Sequence, residues 1–237
     1  MRLSPWGRVV AISALLVVGG ALALAIGAIA STREIRASYP ITGTVESLTF
    51  DLGDGDIVVV GGGRRDAVEV QRRERYSFGH RALTAPHVDG AGYRVRSRCP
   101  TSLLGPCEVG YRIVVPDNVA LDIRTSGGHV SLQGYRGTAT VTTGDGAIDI
   151  SGYCGNSLDA RAGAGAIRLQ ASCAGPRLSL RSGSGAIRAV LPAGRYDLDA
   201  ESTSGSERVT GVTARDDAPY SVQVLSSSGD VSVEGRS

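Results

Sequence analysis

A glycine-anchored motif recurs along this chain and constrains its fold more than any other feature. One glycine can be taken as the anchor of each copy, which gives Gly55, Gly128, Gly146, Gly165, Gly185, Gly205 and Gly229. From Gly128 onward the anchors are 18, 19, 20, 20 and 24 residues apart. Such near-constant self-similarity is the signature of a repeat architecture.

The residues around each anchor also repeat, and they do so at strand spacing. Positions seven and five before the anchor, and two and four after it, are apolar in every copy except at Glu207. Spacing by two places side chains on one face of a strand, whereas a helix would need apolar residues at i, i+3 and i+4. Each repeat is therefore predicted to be a strand, a glycine turn, a second strand and a second turn.

Stacked repeats can bury an apolar face that one repeat cannot bury alone. The sequence predicts an all-β fold, a single-stacked β-solenoid with 18 to 24 residues per coil. A two-sheet β-sandwich is the alternative, because short strands between regular turns also suit that fold. Glu207 occupies an inward slot, which indicates either a shifted register that uses Val209 or a local opening. The pattern leaves open whether the edge at the last coil, Val231 to Val233, is capped or pairs with another chain.

The N-terminal region predicts a membrane anchor. Residues 9–30 carry no charge, and a helix of this length spans about 33 Å, enough for a hydrocarbon core. This interpretation gives a cytoplasmic N-terminus at 1–8, a transmembrane helix at 9–30, a linker at 31–41 and an extracytoplasmic repeat domain at 42–237. The alternative is a secreted protein after signal cleavage near Ala30, where Ala28-Ile29-Ala30 resembles a cleavage site.

The repeat register breaks between residues 61 and 116, which predicts an insertion that serves as a cap, an elaborated coil or a binding loop. Four cysteines in an exported domain suggest disulfides rather than a metal site. Cys99 and Cys107 are expected to close a short loop at the end of the insertion. Cys154 and Cys173 each follow their anchors by eight residues, so stacking of adjacent coils is expected to bring them within bonding distance.

The ensemble of these features resembles a known family. The step CEVGYRIVVPDNVALDIRTSGG, the SGSGAIR-type turns and the N-terminal anchor are similar to the bacterial putative-adhesin β-strand-repeat family, a domain class of unknown function. The resemblance covers roughly Val45 to Glu234. It implies a surface-exposed, non-catalytic β-repeat domain that is often attached to the membrane, and it supplies no catalytic residues.

The motifs that could carry other chemistry do not fit their patterns. No lysine is present for a phosphate-binding loop, and the glycines precede strands rather than helices. Glycine is instead expected where a tight turn requires a positive φ. Asp51, Asp54, Asp56 and Asp145 do not recur in later turns as a repeat calcium site would need. We therefore predict no catalytic, cofactor-binding or metal-binding residues and no cofactor.

Arginines supply the candidate binding site. All the basic residues are arginine, and the net charge of +2 argues against a nucleic-acid binder. Three arginines follow their anchors by three residues, where side chains should point outward, and three others form a second column. Together they predict a strip for an anionic polymer or for phosphate head groups: Arg168, Arg188, Arg208, Arg161, Arg181 and Arg124. Ordinary pairing with Asp and Glu on a solvated face is the alternative.

The sequence thus predicts a membrane-anchored, non-enzymatic cell-surface domain that binds or adheres to envelope or extracellular polymers. The alternative function is an accessory or sensor domain in envelope-stress or membrane homeostasis that contacts another membrane protein. The expected partners are the lipid bilayer through residues 9–30, together with an anionic envelope glycopolymer or a membrane protein.

Overall fold

The structure is a computed structural model and describes residues 5–101 and 106–236. Part of the predicted N-terminal segment 1–8, part of the loop between Cys99 and Cys107, and Ser237 lie outside the described residues.

The helix predicted at 9–30 is present with wider bounds, since α1 spans Pro5–Ser31. The apolar side chains described in its middle turns are exposed, with Leu15 at 72% and Leu22 at 60%. In the part of the chain that the structure describes, no helix qualifies as long and apolar enough to cross a membrane.

The rest of the described chain contains 20 strands in two sheets of 10. The strands up to the end of the insertion are β1 (Arg33–Thr42), β2 (Ser47–Leu52), β3 (Ile57–Val60), β4 (Ala67–Tyr76), β5 (Leu83–Asp89), β6 (Gly92–Arg98) and β7 (Cys107–Val114). The regular coils follow with β8 (Ala120–Thr125), β9 (Val130–Gln133), β10 (Thr138–Thr143), β11 (Ile148–Tyr153), β12 (Ser157–Ala162), β13 (Ile167–Ala171), β14 (Arg177–Ser182) and β15 (Ile187–Pro192). The last strands are β16 (Arg195–Ser202), β17 (Glu207–Thr210), β18 (Thr213–Ala214), β19 (Ser221–Ser226) and β20 (Val231–Arg236).

The predicted solenoid is confirmed, because equivalent strands of successive repeats pair in parallel. Leu121, Ala139 and Leu158, for example, lie side by side in one sheet. The first sheet has the order β1-β4-β7-β3-β9-β11-β13-β15-β20-β17, and the second has β18-β16-β19-β14-β12-β10-β8-β2-β6-β5. The inward positions of every repeat are buried between the two sheets, apart from those of the Gly205 coil.

The coils do not stack in sequence order at either end of the solenoid. The last coil of the sequence, β19–β20, lies between the β14–β15 coil and the β16–β17 coil. The predicted edge at Val231 to Val233 is therefore an interior strand, paired on both sides. The β16–β17 coil forms the end, which explains why Glu207 and Val209 are exposed there without any shift of register.

The segment between residues 61 and 116 is an elaborated coil with two antiparallel additions. Its strands β6 and β7 form a coil that packs outside the β2–β3 coil. Strand β4 pairs antiparallel with β7 and with β1, and β5 pairs antiparallel with β6. The segment 31–41, interpreted above as a linker, is mostly strand β1, because Ile35, Ala37 and Tyr39 alternate and half-bury one face.

The anchoring glycines are required by close approach, and the prediction that they relieve a positive φ is wrong. None of the seven anchors lies in the left-handed region. Instead, the corners of successive coils nearly touch: a Cβ on Gly165 would lie 1.7 Å from the carbonyl oxygen of Gly146. Only glycine permits this approach of backbone to backbone.

A column of hydroxyl groups stabilises the same corners. The hydroxyl of Ser182, three residues before its anchor, accepts a hydrogen bond from the Gly185 N–H at 2.8 Å and donates to the Gly165 oxygen at 3.0 Å. Ser226 makes the equivalent contacts with Gly229 and Gly185. Each hydroxyl thus satisfies one buried backbone donor and one acceptor on the neighbouring coil.

Both predicted disulfides are present. Cys99–Cys107 closes the short loop with Cα atoms 5.7 Å apart. Cys154–Cys173 joins two successive coils, with Cα atoms 5.0 Å apart. The second bond follows directly from the stacking, because the two cysteines occupy the same position in neighbouring repeats.

Candidate functional site

The candidate site is the outer face of the first sheet. Side chains three residues after each anchor alternate with the buried positions and point to solvent. From the Gly128 coil onward they are, in stacking order, Ser131, Asp149, Arg168, Arg188, Ser232 and Arg208. We call Arg168, Arg188, Arg208 and the nearby Arg236 the first-sheet arginine face.

The structure divides the six arginines predicted as one strip between two opposite faces. Arg168, Arg188 and Arg208 lie on strands of the first sheet, whereas Arg124, Arg161 and Arg181 lie on strands of the second sheet. Because both sets point away from the shared core, they cannot contact the same ligand at once. Each column is also interrupted: Ser232 separates Arg188 from Arg208, and Thr142 separates Arg124 from Arg161.

Two of the three second-sheet arginines are closely compensated, and the third, Arg181, is bonded to a neutral amide. Arg124 contacts Asp122 at 2.7 Å and Arg161 contacts Asp159 at 2.5 Å, in each case two residues apart on one strand. Arg181 donates a hydrogen bond to the side-chain oxygen of Gln223. This face therefore fits the alternative interpretation, a solvated surface with internal ion pairs.

The first-sheet arginine face is compensated only in part. Arg168 contacts Asp149 at 3.3 Å, and Arg188 contacts Glu234 at 2.8 Å. The hydrogen bond from Arg188 is the main cause that lowers the pKa of the Glu234 carboxyl. Within residues 5–101 and 106–236, Arg208 and Arg236 make no ion pair with an acidic side chain. The face consequently carries excess positive charge.

A shallow groove runs along this face. Its volume is about 550 Å³, and its floor is formed by Asp149, Arg168, Gln170, Arg188, Glu234 and Arg236 among other residues. The sequence prediction missed Gln170, Glu234 and Arg236. Gln170 and Glu234 lie two positions beyond the column on their strands, and Arg236 lies four positions beyond it, so the alternation of the strands could have identified them.

Two of the aspartates that were considered as calcium ligands have partners within the protein. Asp51 contacts Arg98 at 2.7 Å, and Asp56 accepts a hydrogen bond from the His129 N–H at 2.9 Å. Among the side chains that the structure describes, no three His, Cys, Asp or Glu residues cluster as metal ligands would.

Comparison with known proteins identifies a domain family in the C-terminal half. Residues 117–234 match the family described as Toastrack DUF4097. This stretch is similar to that family, and it contains the regular coils together with Arg168, Arg188 and Arg208 of the first-sheet arginine face. No protein of the curated set matches the chain.

Three solved structures of low sequence identity are similar. One is a putative cell adhesion protein from Clostridium sporogenes, with 13% identity, a TM-score of 0.49, and coverage of 86% of this chain and 100% of that one. The second is a putative adhesin from Bacteroides fragilis, with 13% identity, a TM-score of 0.44, and coverage of 86% and 97%. The third is a putative adhesin from Parabacteroides merdae, with 11% identity, a TM-score of 0.34, and coverage of 84% and 95%.

Proposed function

We propose that this solenoid domain is a non-enzymatic binding module that is anchored to the membrane and displayed outside the cytoplasm. In this proposal the first-sheet arginine face binds an anionic polymer of the envelope or its surroundings. The arginines of the two faces are paired with acidic side chains to different extents. We therefore assign the ligand to the first-sheet arginine face and not to the opposite face.

The excess charge of the first-sheet arginine face is the observation that carries the proposal. Arg168 and Arg188 sit on adjacent parallel strands, about 4.8 Å apart, and Arg208 lies two strands further on. Guanidinium groups bind carboxylates and phosphates with two parallel hydrogen bonds. A polymer with regularly spaced anionic groups can therefore contact several rungs of the stack at once.

The membrane anchoring rests on the sequence and on the exposure of α1. The helix has 27 residues and is about 40 Å long, more than a bilayer core requires. Apolar side chains in its middle turns, such as Leu15, Val17 and Leu22, are 60–72% exposed, so the solenoid leaves them largely uncovered. Such a surface is stable in lipid and costly in water.

We expect substitutions on the first-sheet arginine face to weaken polymer binding, and substitutions of the second-sheet arginines to leave it unchanged. Replacement of Arg168, Arg188 and Arg208 by serine is expected to weaken binding of polygalacturonate or teichoic acid by about threefold to a hundredfold. Exposed ion pairs contribute about 0.2–1 kcal/mol each, and 1.4 kcal/mol corresponds to a factor of ten. The measurement is a binding titration of the full chain in detergent micelles, at low and high salt.

The matched control is the triple serine variant of Arg124, Arg161 and Arg181, which is expected to bind as the unchanged chain does. Neutral dextran should not bind, and the polymers should keep their length during incubation. Equal losses in the two variants, or none, would contradict the assignment. That result would favour the second candidate function, contact with another membrane protein through the open end of the solenoid, where Val209 is 44% exposed.

A further inference from the structure

The loop that follows β4 touches α1, although it belongs to the solenoid. The ring of Phe78 lies against the helix, where a Cβ added to Gly27 would be 3.7 Å from the Phe78 Cζ. The Phe78 N–H also donates a hydrogen bond to the Ser31 hydroxyl at 3.3 Å. This contact joins the domain to the helix at a point before the helix ends.

Phe78 holds a strained backbone conformation. With φ at 50°, it is the only non-glycine residue with a positive φ among the described residues. A bulky side chain in the left-handed region is a genuine outlier, and such strain concentrates at functional sites. Glycine would adopt this conformation freely, as the neighbouring Gly79 does at φ 75°. The strain therefore indicates that the ring itself has a role.

A buried carboxylate fixes the shape of this loop. Glu74 is fully buried, and its Oε1 accepts a hydrogen bond from the Ala82 N–H at 2.9 Å. Its Oε2 contacts Arg72 at 3.2 Å and Arg81 at 3.4 Å. The loop is thus tied to β4 at both ends, and it presents Phe78 with 40% of its surface exposed.

The strands and loop that flank Phe78 in the chain carry basic and apolar side chains. Strand β1 places Arg33 opposite Tyr76, and the Arg81 guanidinium lies 5.6 Å from the Tyr76 ring centre. The Arg81 side chain is 53% exposed, and Leu83, at the start of β5, is 74% exposed. Arginine and aromatic side chains beside an apolar helix are typical of the boundary between lipid and water.

We infer that Phe78, Arg81, Arg33 and Leu83 form a second membrane contact, which we call the proximal rim. This inference rests on the proposed anchoring by α1. The rim binds the bilayer surface, with the Phe78 ring among the upper acyl chains and the arginines at anionic phospholipid head groups. The solenoid is thereby held in a defined orientation on its anchor.

The position of Gly27 sets the depth of the ring. Gly27 lies four residues before the end of α1 at Ser31, which corresponds to about 6 Å along the helix axis. If Ser31 marks the surface of the hydrocarbon core, the Phe78 ring reaches the depth at which interfacial aromatic side chains reside.

The test uses tryptophan as a depth probe in the full chain. Trp6 is the only tryptophan, so the Trp6→Phe background carries either Phe78→Trp or, as a control at the far end of the solenoid, Val209→Trp. Each variant is reconstituted in phosphatidylcholine vesicles with and without phosphatidylglycerol. Fluorescence quenching by brominated lipid chains and by aqueous acrylamide is then measured on vesicles recovered by flotation.

The expected result is at least twofold stronger quenching by brominated lipid at position 78 than at position 209, with the opposite order for acrylamide. Phosphatidylglycerol should increase the difference. Hydrogen exchange of residues 77–82 in the unmodified chain should also be slower in vesicles than in detergent. If the chain floats with the vesicles but quenching is equal at both positions, the membrane contact of the proximal rim is contradicted and the anchoring by α1 is not. A chain that does not float would overturn the anchoring as well.

Discussion

Replacement of Gly165 by alanine is expected to lower the free energy of unfolding by about 3–5 kcal/mol, a large effect for one methyl group. The added Cβ would lie 1.7 Å from the Gly146 oxygen and 2.4 Å from the Gly146 carbonyl carbon. Both are backbone atoms at a corner where these two coils are held together by parallel pairing in both sheets. Because the clash involves backbone atoms, no change of side-chain rotamer can relieve it. The two coils would have to move apart.

Urea unfolding of the full chain in detergent micelles, followed by circular dichroism in the β-sheet region, measures this loss. Gly53→Ala is the matched control, since its Cβ would meet the Ser97 oxygen at 3.8 Å, an ordinary contact. The control midpoint should remain within the error of the unchanged chain. Similar midpoints for the two variants would show that the coils are not packed as closely as the structure has them.

Deletion of residues 219–237 is expected to disorder two coils, although it removes the strands of only one. Strands β19 and β20 separate the β14–β15 coil from the β16–β17 coil in both sheets. They also bury Val222, Val224, Val231 and Val233, which contribute about 8 kcal/mol before the entropy of ordering is subtracted. Without them the β16–β17 coil has no neighbouring coil in either sheet.

Hydrogen exchange detects this outcome strand by strand. In the deleted chain the amides of β16 and β17 should exchange as in an unfolded chain, while those of β9 to β13 stay protected. The comparison variant Val209→Ala, at a half-exposed position of β17, should keep the protection of β16. Retained protection of β16 and β17 after the deletion would refute the interleaved order of the coils.

The sequence determines the register of each coil but not the order of the coils. Apolar residues two and four positions after the glycines identified the buried rungs of the regular coils, and the repeat of the coils identified the Cys154–Cys173 bond. Every coil carries the same apolar columns, however, so the columns do not reveal which coils are neighbours. Only Glu207 carried that information, because a carboxylate in an inward slot is tolerated where the stack ends.

The residues of the candidate site could likewise be predicted from the sequence only in part. The outward position of Arg168, Arg188 and Arg208 followed from strand alternation. The opposite orientation of Arg124, Arg161 and Arg181 follows from the sheet that each strand joins, which the sequence prediction did not use. Phe78 could not be found at all, because its significance lies in a contact with Gly27, 51 residues away in the chain.

The central claim is that the domain is anchored in the membrane and lies outside the cytoplasm. It is tested most directly by fusing alkaline phosphatase to the C-terminus of the full chain and measuring its activity in bacteria. The enzyme is active only after export, and carbonate washing removes proteins that are not anchored in the membrane. Active fusion protein is expected in washed membranes. It should be lost from that fraction when Leu16 and Leu22 become arginine, since each charge costs about 2.5–3.5 kcal/mol in a membrane helix. Inactive phosphatase, or active phosphatase released as a soluble protein that begins near Ala30, would contradict the claim.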